Sequence, residues 1–233
     1  MLDVRKIREK IICINDKIVA LRRRIEAESG VAYTSQDARH VALDGIQQDL
    51  LACGMLILCM GYCPERERIP FLRQMGSALA REETEDLMLK YLRLSLVDFV
   101  YFKIDNLFTN ILGHFGKRQK KRGFWQVSNA VLERASIPQN GYEKNVLNAL
   151  AYIRNSMHGN GIHNGDDLHV KLCELDFDFK RGQPVRCASW EHILAVVSCA
   201  IDVLKEILLS DAIKGVEDEI EDTFARGMQG SET

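Results

Sequence analysis

Apolar residues recur at alternating spacings of three and four from the start of the chain. Val4, Ile7, Ile11, Ile14, Ile18, Leu21 and Ile25 are separated by mostly polar positions, the pattern of a heptad seam over residues 1–30. Such a seam serves either as a dimerisation zipper or as the inner stripe of a bundle helix. The arginines at 22 to 24 read as a solvated face. After the loop "SGVAYTSQD", a second helix is predicted from about 35 to 63; its second half is apolar all round and is expected at the centre of the fold. Pro64 and Pro70 bracket a break. A long helix follows from about 82 to 113, with Leu89, Leu92, Leu96 and Phe99 on one face and Asp86, Lys90 and Arg93 on another. Asp98, close to the apolar side, is either a rim carboxylate or a buried acid facing a site.

Further along, a helix opens at Phe124 and Trp125 and stops at "SIPQNGYEK". The next, from about 141 to 158, carries Val146, Leu150, Ile153 and Met157 as its core stripe. "LHVKLCELDFDF" and "QPVRC", on either side of "KRG", predict a two-stranded hairpin that turns at the glycine. Ser189 caps a long final helix with a seam of Trp190, Leu194, Val197, Ile201, Leu204 and Leu208. Past Gly215 comes the acidic, amphipathic "VEDEIEDTF" and then a frayed end, so 214–233 reads as an acidic C-terminal tail. The fold class predicted is all-α: a helical bundle over 35–213 with a small β-hairpin inserted before the last long helix.

Composition adds limits. A chain of 233 residues, 46% of them hydrophobic, can bury a substantial core. A formal net charge of -2 excludes wholesale wrapping of nucleic acid, while leaving room for a local basic surface. The seven cysteines are odd in number and form no CxxC pair, which points to a reducing compartment. No cationic leader opens the chain, and its longest apolar run, "LLACGMLILCMGYC" at 50–63, is too short and glycine-broken to span a bilayer. A cytoplasmic protein without a membrane partner is the expectation.

Two segments carry candidate chemistry. "GKRQKKRGFW", residues 116–125, sets Lys117, Arg118, Lys120, Lys121 and Arg122 just before Phe124 and Trp125. Cations that meet phosphates beside rings that stack on bases are the means of holding single-stranded RNA. The same residues also suit a solvated loop followed by a helix that buries its aromatics. In the second segment, "YIRNSMHGNGIHNGDD" at 152–167, Arg154 and His158 stand one helical turn apart. Together with Leu147 and Ala151 they form a line about 100° around from the core stripe. Held at the edge of the buried face, both could meet a ligand. They could equally complement the negative end of the helix, with Gly159 or Gly161 as its left-handed cap. His158, His163 and His169 with Asp166 or Asp167 match no zinc spacing and there is no HExxH, so neither metal nor cofactor is expected.

"RNSMHGNG" resembles the Arg-Asn, several residues, His signature of the HEPN superfamily, helical-bundle proteins prominent in prokaryotic toxin–antitoxin and defence systems and in RNA processing. It is most similar to a bacterial branch with an "RNSxHxNG"-like string followed by a short hairpin and a last helix. The resemblance spans roughly residues 85 to 210, and only the octapeptide is specific. It implies metal-independent endoribonuclease activity at a homodimer interface, with Arg154 and His158 as the catalytic pair and Asn155 as the orienting residue. RNA is the implied partner, together with a protein inhibitor or antitoxin that restrains cleavage. Some members of the family are noncatalytic nucleotide-binding or protein-interaction modules. The family's ribonucleases commonly space the arginine and histidine further apart than the three residues found here; the interval to His163 is eight.

Overall fold

The computed structural model describes residues 4–30, 34, 36–62, 81–116 and 123–223. In chain order these form α1 (Val4–Ser29), α2 (Ala38–Tyr62), α3 (Arg81–His114), α4 (Phe124–Arg134), α5 (Tyr142–His158), β1 (Leu168–Leu172), β2 (Leu175–Phe179), α6 (Trp190–Leu208) and the single turn α7 (Asp211–Lys214). The fold is a helical bundle with one two-stranded antiparallel hairpin before the last long helix. Pro64, Pro70 and the run Lys117–Arg122 lie outside the described residues.

The amino-terminal seam turns inward. Ile7, Ile11, Ile14, Ile18, Leu21 and Ile25 are all buried in the common core, with α1 packed on α2 and α6 of the same chain. Within the chain that stripe is the inner face of a bundle helix.

The centre of the bundle belongs to α6. Ile193 to Val197, Cys199 to Ile201, Val203, Leu204, Ile207 and Leu208 are buried, because "ILAVVSCAIDVL" is apolar nearly all round and helices α1, α3 and α5 and the hairpin pack around it. Ser189 caps it by accepting the His192 backbone N–H at 3.4 Å. The second half of α2 corrects the expectation of a central helix. It packs on α1 and α3 and leaves Leu51, Met55 and Leu56 exposed. Ala38–Cys59 is long and apolar enough to cross a membrane by length and composition, and 44% of its most apolar window is buried inside this fold. Phe99 is likewise exposed; the buried line of α3 runs through Leu96, Val97, Val100, Ile104, Leu107, Phe108 and Ile111.

The hairpin turns earlier than expected. Its turn is Cys173–Glu174, both in the left-handed region with φ of 47° and 67°, the pairing of a type I′ turn. The cause is legible in the phase of the apolar residues: Leu168, Val170 and Leu172 precede it and Leu175, Phe177 and Phe179 follow, so a two-residue connection puts both sets on one face. "KRG" forms a second turn that returns the chain to the motif loop, where His163 N–H donates to the Gln183 carbonyl and Gly182 N–H to the His163 carbonyl.

Residues 216–223 are docked rather than trailing as part of an acidic tail. Ile220 is fully buried, and its N–H and carbonyl bond to the Asp37 carboxylate and to Ala38 N–H. Asp37 itself holds Arg39 through a fully buried ion pair, Nη2 to Oδ2 at 2.6 Å. The guanidinium also donates to the carbonyls of Val216 and Asp218. Buried charge is tolerated here because the two ions pair with each other and make further hydrogen bonds with the backbone.

Candidate active site on helices α3 and α5

Arg154, Asn155 and His158 come from the last turns of α5, and Asp98 and Tyr101 from the facing side of α3. Leu147 and Ala151, two turns and one turn earlier on the same line of α5, are buried, so the line emerges from the core as it reaches Arg154. Asp98 joins the two motif residues. Its Oδ1 accepts the Arg154 Nε–H at 3.1 Å and lies 2.8 Å from His158 Nε2; Oδ2 lies 3.0 Å from the same nitrogen. An ionised carboxylate can only accept, so Nε2 carries the proton and a neutral His158 keeps its lone pair on Nδ1.

The remaining contacts fix the guanidinium. Arg154 Nη1 donates to Asn155 Oδ1 at 3.1 Å, and its carbon lies 5.1 Å from the centroid of the Tyr101 ring, within cation–π range. Burial and the neighbouring Asp105 push the Tyr101 hydroxyl up to about 12, against the pull of Arg154, so the ring stays neutral beneath the cation. Burial also raises the Asp105 carboxyl, opposed by Arg154. The cluster is open to solvent: the side chains of Arg154 and Asp98 are 35% and 37% exposed and His158 is 54% exposed.

The loop after α5 is built for shape. Gly159 ends the helix with its N–H on the carbonyls of Asn155 and Ser156. The left-handed residues are Asn160 and Gly161, with φ of 55° and 82°, so Gly161, not Gly159, supplies the reversal. His163 is a core histidine, sandwiched between Tyr152 and Phe179 and donating Nε2–H to the Asp166 carbonyl at 2.8 Å. Gly165 has to be glycine because a Cβ there would lie 2.8 Å from the His163 ring. Asp166 and Asp167 bind Arg181, by side chain and backbone N–H respectively, and His169 faces Asp178 across the hairpin at 3.8 Å. The three histidines therefore have separate partners, and no group of three His, Cys, Asp or Glu side chains that could hold a metal occurs among the described residues.

The basic block Lys117, Arg118, Lys120, Lys121 and Arg122 lies outside the described residues, but the point where the chain re-enters is fixed. Phe124 packs on Tyr101 with centroids 4.5 Å apart, and the Arg154 guanidinium lies over the Tyr101 ring, so α4 begins beside the cluster. Trp125 is 43% exposed and stacks nearly parallel to Tyr152 at 6.4 Å. Its other neighbour was not foreseen. The buried Lys144 places its ammonium 3.9 Å from the Trp125 centroid and 2.9 Å from Ser128 Oγ, and burial lowers its amine to about 8.

Sequence reasoning weighed Asp98 without assigning it to the motif, and it passed over Tyr101. Their spacing of three on α3, continued by Asp105 four residues on, is a polar line along an otherwise apolar helix and is the signal that could have found them. A scan against family models finds no match, and neither the curated proteins nor the solved structures contain a match to this chain.

Proposed function

We propose that this chain is a cytoplasmic RNA-binding protein and metal-independent endoribonuclease of the HEPN kind, acting as a homodimer. The observation that carries the reading is Asp98, which holds a guanidinium and an imidazole side by side on open surface. His158 takes the proton of an RNA 2′-hydroxyl on Nδ1, the nitrogen that the Asp98 contact leaves basic. The 2′-oxygen attacks phosphorus, the 5′-oxygen leaves, and the product carries a 2′,3′-cyclic phosphate. Arg154 commits Nε to Asp98 and Nη1 to Asn155. Its Nη2 makes no hydrogen bond to a described residue and meets the charge that grows on the phosphoryl oxygens.

The second copy supplies the acid that protonates the leaving oxygen. Phe99, 51% exposed, rises from α3 one residue after Asp98, and burying it against a second copy would set two clusters near each other. The basic block and Trp125 guide the strand toward the cluster. Restraint by a protein inhibitor or antitoxin, in a toxin or defence setting, follows from the family resemblance alone.

A second reading has its own support. Asp98 binds both the guanidinium and the imidazole at once, so the cluster also serves as a latch between α3 and α5 in a noncatalytic nucleotide-binding or protein-interaction module. Single-stranded RNA incubated with the protein in EDTA separates the two. Cyclic-phosphate products that vanish in Arg154→Ala and His158→Ala, with melting unchanged, support the nuclease. Intact RNA, or variants that melt early, supports the latch.

A further inference from the structure

Cys173 and Cys199 are far apart in sequence but meet in the fold. Cys173 is the first residue of the hairpin turn and is exposed; Cys199 lies on the central helix α6 and is 1% exposed. Their Sγ atoms are 2.7 Å apart. Both are free thiols, and a disulfide closes at about 2.05 Å, so little movement separates the contact from a bond. The turn is shaped to deliver the sulfur. Cys173 and Glu174 both occupy left-handed backbone, with φ of 47° and 67°, where Asn-Gly is the usual choice. A Lys171–Glu174 ion pair at 2.8 Å braces them. The Cys173 sulfur also approaches the Ala195 carbonyl, one helical turn before Cys199.

We infer that Cys173 and Cys199 form a reversible disulfide by exchange with a low-molecular-weight disulfide, stapling the hairpin turn to α6. The exposed Cys173 is where the oxidant enters. Its thiolate attacks one sulfur of the small disulfide and expels a thiolate, which takes the Cys199 proton. The Cys199 thiolate then attacks the Cys173 sulfur and expels the second small thiolate, which takes from solvent the proton that Cys173 gave up at the start. Two protein thiols become one S–S bond, and one small disulfide becomes two thiols. The order follows from environment: burial, with the Cys173 contact, pushes the Cys199 thiol up to about 12, so it stays protonated until the mixed disulfide is in place. Thiols in excess run both steps backward, so the staple tracks the redox state around the protein.

The test uses the intact wild-type chain and oxidised glutathione, followed by alkylation and peptide mass mapping. The expected result is a cross-linked pair of peptides carrying Cys173 and Cys199, loss of two alkylatable thiols, and recovery of both on adding dithiothreitol. The melting midpoint should rise by about 5 °C or more on cross-linking, because the bond closes a loop in the unfolded chain. In Cys173→Ser, Cys199 should stay reduced under the same treatment. Glutathione retained on Cys173 with Cys199 still a thiol, two unmodified thiols, or cross-linking chiefly to other cysteines would each overturn the pairing. An unchanged midpoint after cross-linking would overturn the staple.

Discussion

Asp98 Oδ1 accepts a hydrogen bond from His158 Nε2 at 2.8 Å, and this contact joins helix α3 to the end of α5. The carboxylate selects the imidazole tautomer and, through Oδ1, ties the ring to the Arg154 guanidinium. Whether the cluster is a catalyst or a latch, Asp98 is the residue on which its geometry depends.

Replacing Asp98 by Asn is therefore informative. Asn keeps the shape but can present an N–H to Nε2 and so favour the wrong tautomer. Under the nuclease reading, cleavage of single-stranded RNA in EDTA falls at least tenfold in Asp98→Asn and about 100-fold to 10,000-fold in His158→Ala, while melting moves by no more than about 2 °C. Retained cleavage in His158→Ala would remove the imidazole from the reaction.

The basic block makes a prediction about salt. Neutralising Lys117, Arg118, Lys120, Lys121 and Arg122 should flatten the dependence of RNA affinity on salt, each lost phosphate contact reducing the slope by about 0.7 for a single strand. Trp125→Ala should weaken binding by about 1 to 3 kcal/mol with the slope unchanged, since stacking releases no counterions. A filter-binding series over salt concentration distinguishes the two, and a slope that stays the same after neutralisation would exclude the block.

Lys144 gives a pH signature independent of function. Its amine titrates near 8 in the fold against an ordinary 10.5. Below 8 both folded and unfolded chains hold the proton, and the fold bears the cost of a buried cation. Between 8 and 10.5 the folded chain has released the proton while the unfolded chain keeps it, so this residue makes stability rise with pH, by about 3 kcal/mol in all. Subtracting the Lys144→Met denaturation curve from the wild type should isolate that rise, and Lys144→Met should be at least as stable as wild type at pH 7. A flat difference between pH 8 and 10.5 would contradict the burial argument.

The Asp37–Arg39 pair makes the strongest stability prediction. Asp37→Ala strands a guanidinium that is 1% exposed and removes the acceptor of Ile220 N–H. A loss of about 3 to 5 kcal/mol in chemical denaturation is expected, with early proteolysis within 216–223. A loss under 1 kcal/mol would mean that the docked segment is held by Val216 and Ile220 alone.

The errors of sequence reading share a cause. Apolar periodicity puts Phe99 on the apolar face of α3 and the second half of α2 at the centre, because it does not show how many neighbours each helix has; α2 packs on two helices, whereas α6 has helices and the hairpin around it. The hairpin was turned at Gly182 because glycine is the usual marker of reversed backbone, whereas Cys173 and Glu174 adopt it without glycine. Asp98 stayed unassigned because its partners lie 56 and 60 residues away.

By itself the sequence determined what is periodic and local: the helices, the inward stripes of α1, α5 and α6, the Ser189 cap and the one-turn spacing of Arg154 and His158, all consequences of a repeat of 3.6 residues per turn. Only the tertiary structure decided what depends on meetings across the chain. It settled that the α1 seam packs internally, that Asp98 bridges the two motif residues, that residues 216–223 are held by a buried ion pair, and that two cysteine sulfurs come within 2.7 Å. Those contacts are set by how helices of unequal apolarity surround α6, a competition for burial that no single segment encodes.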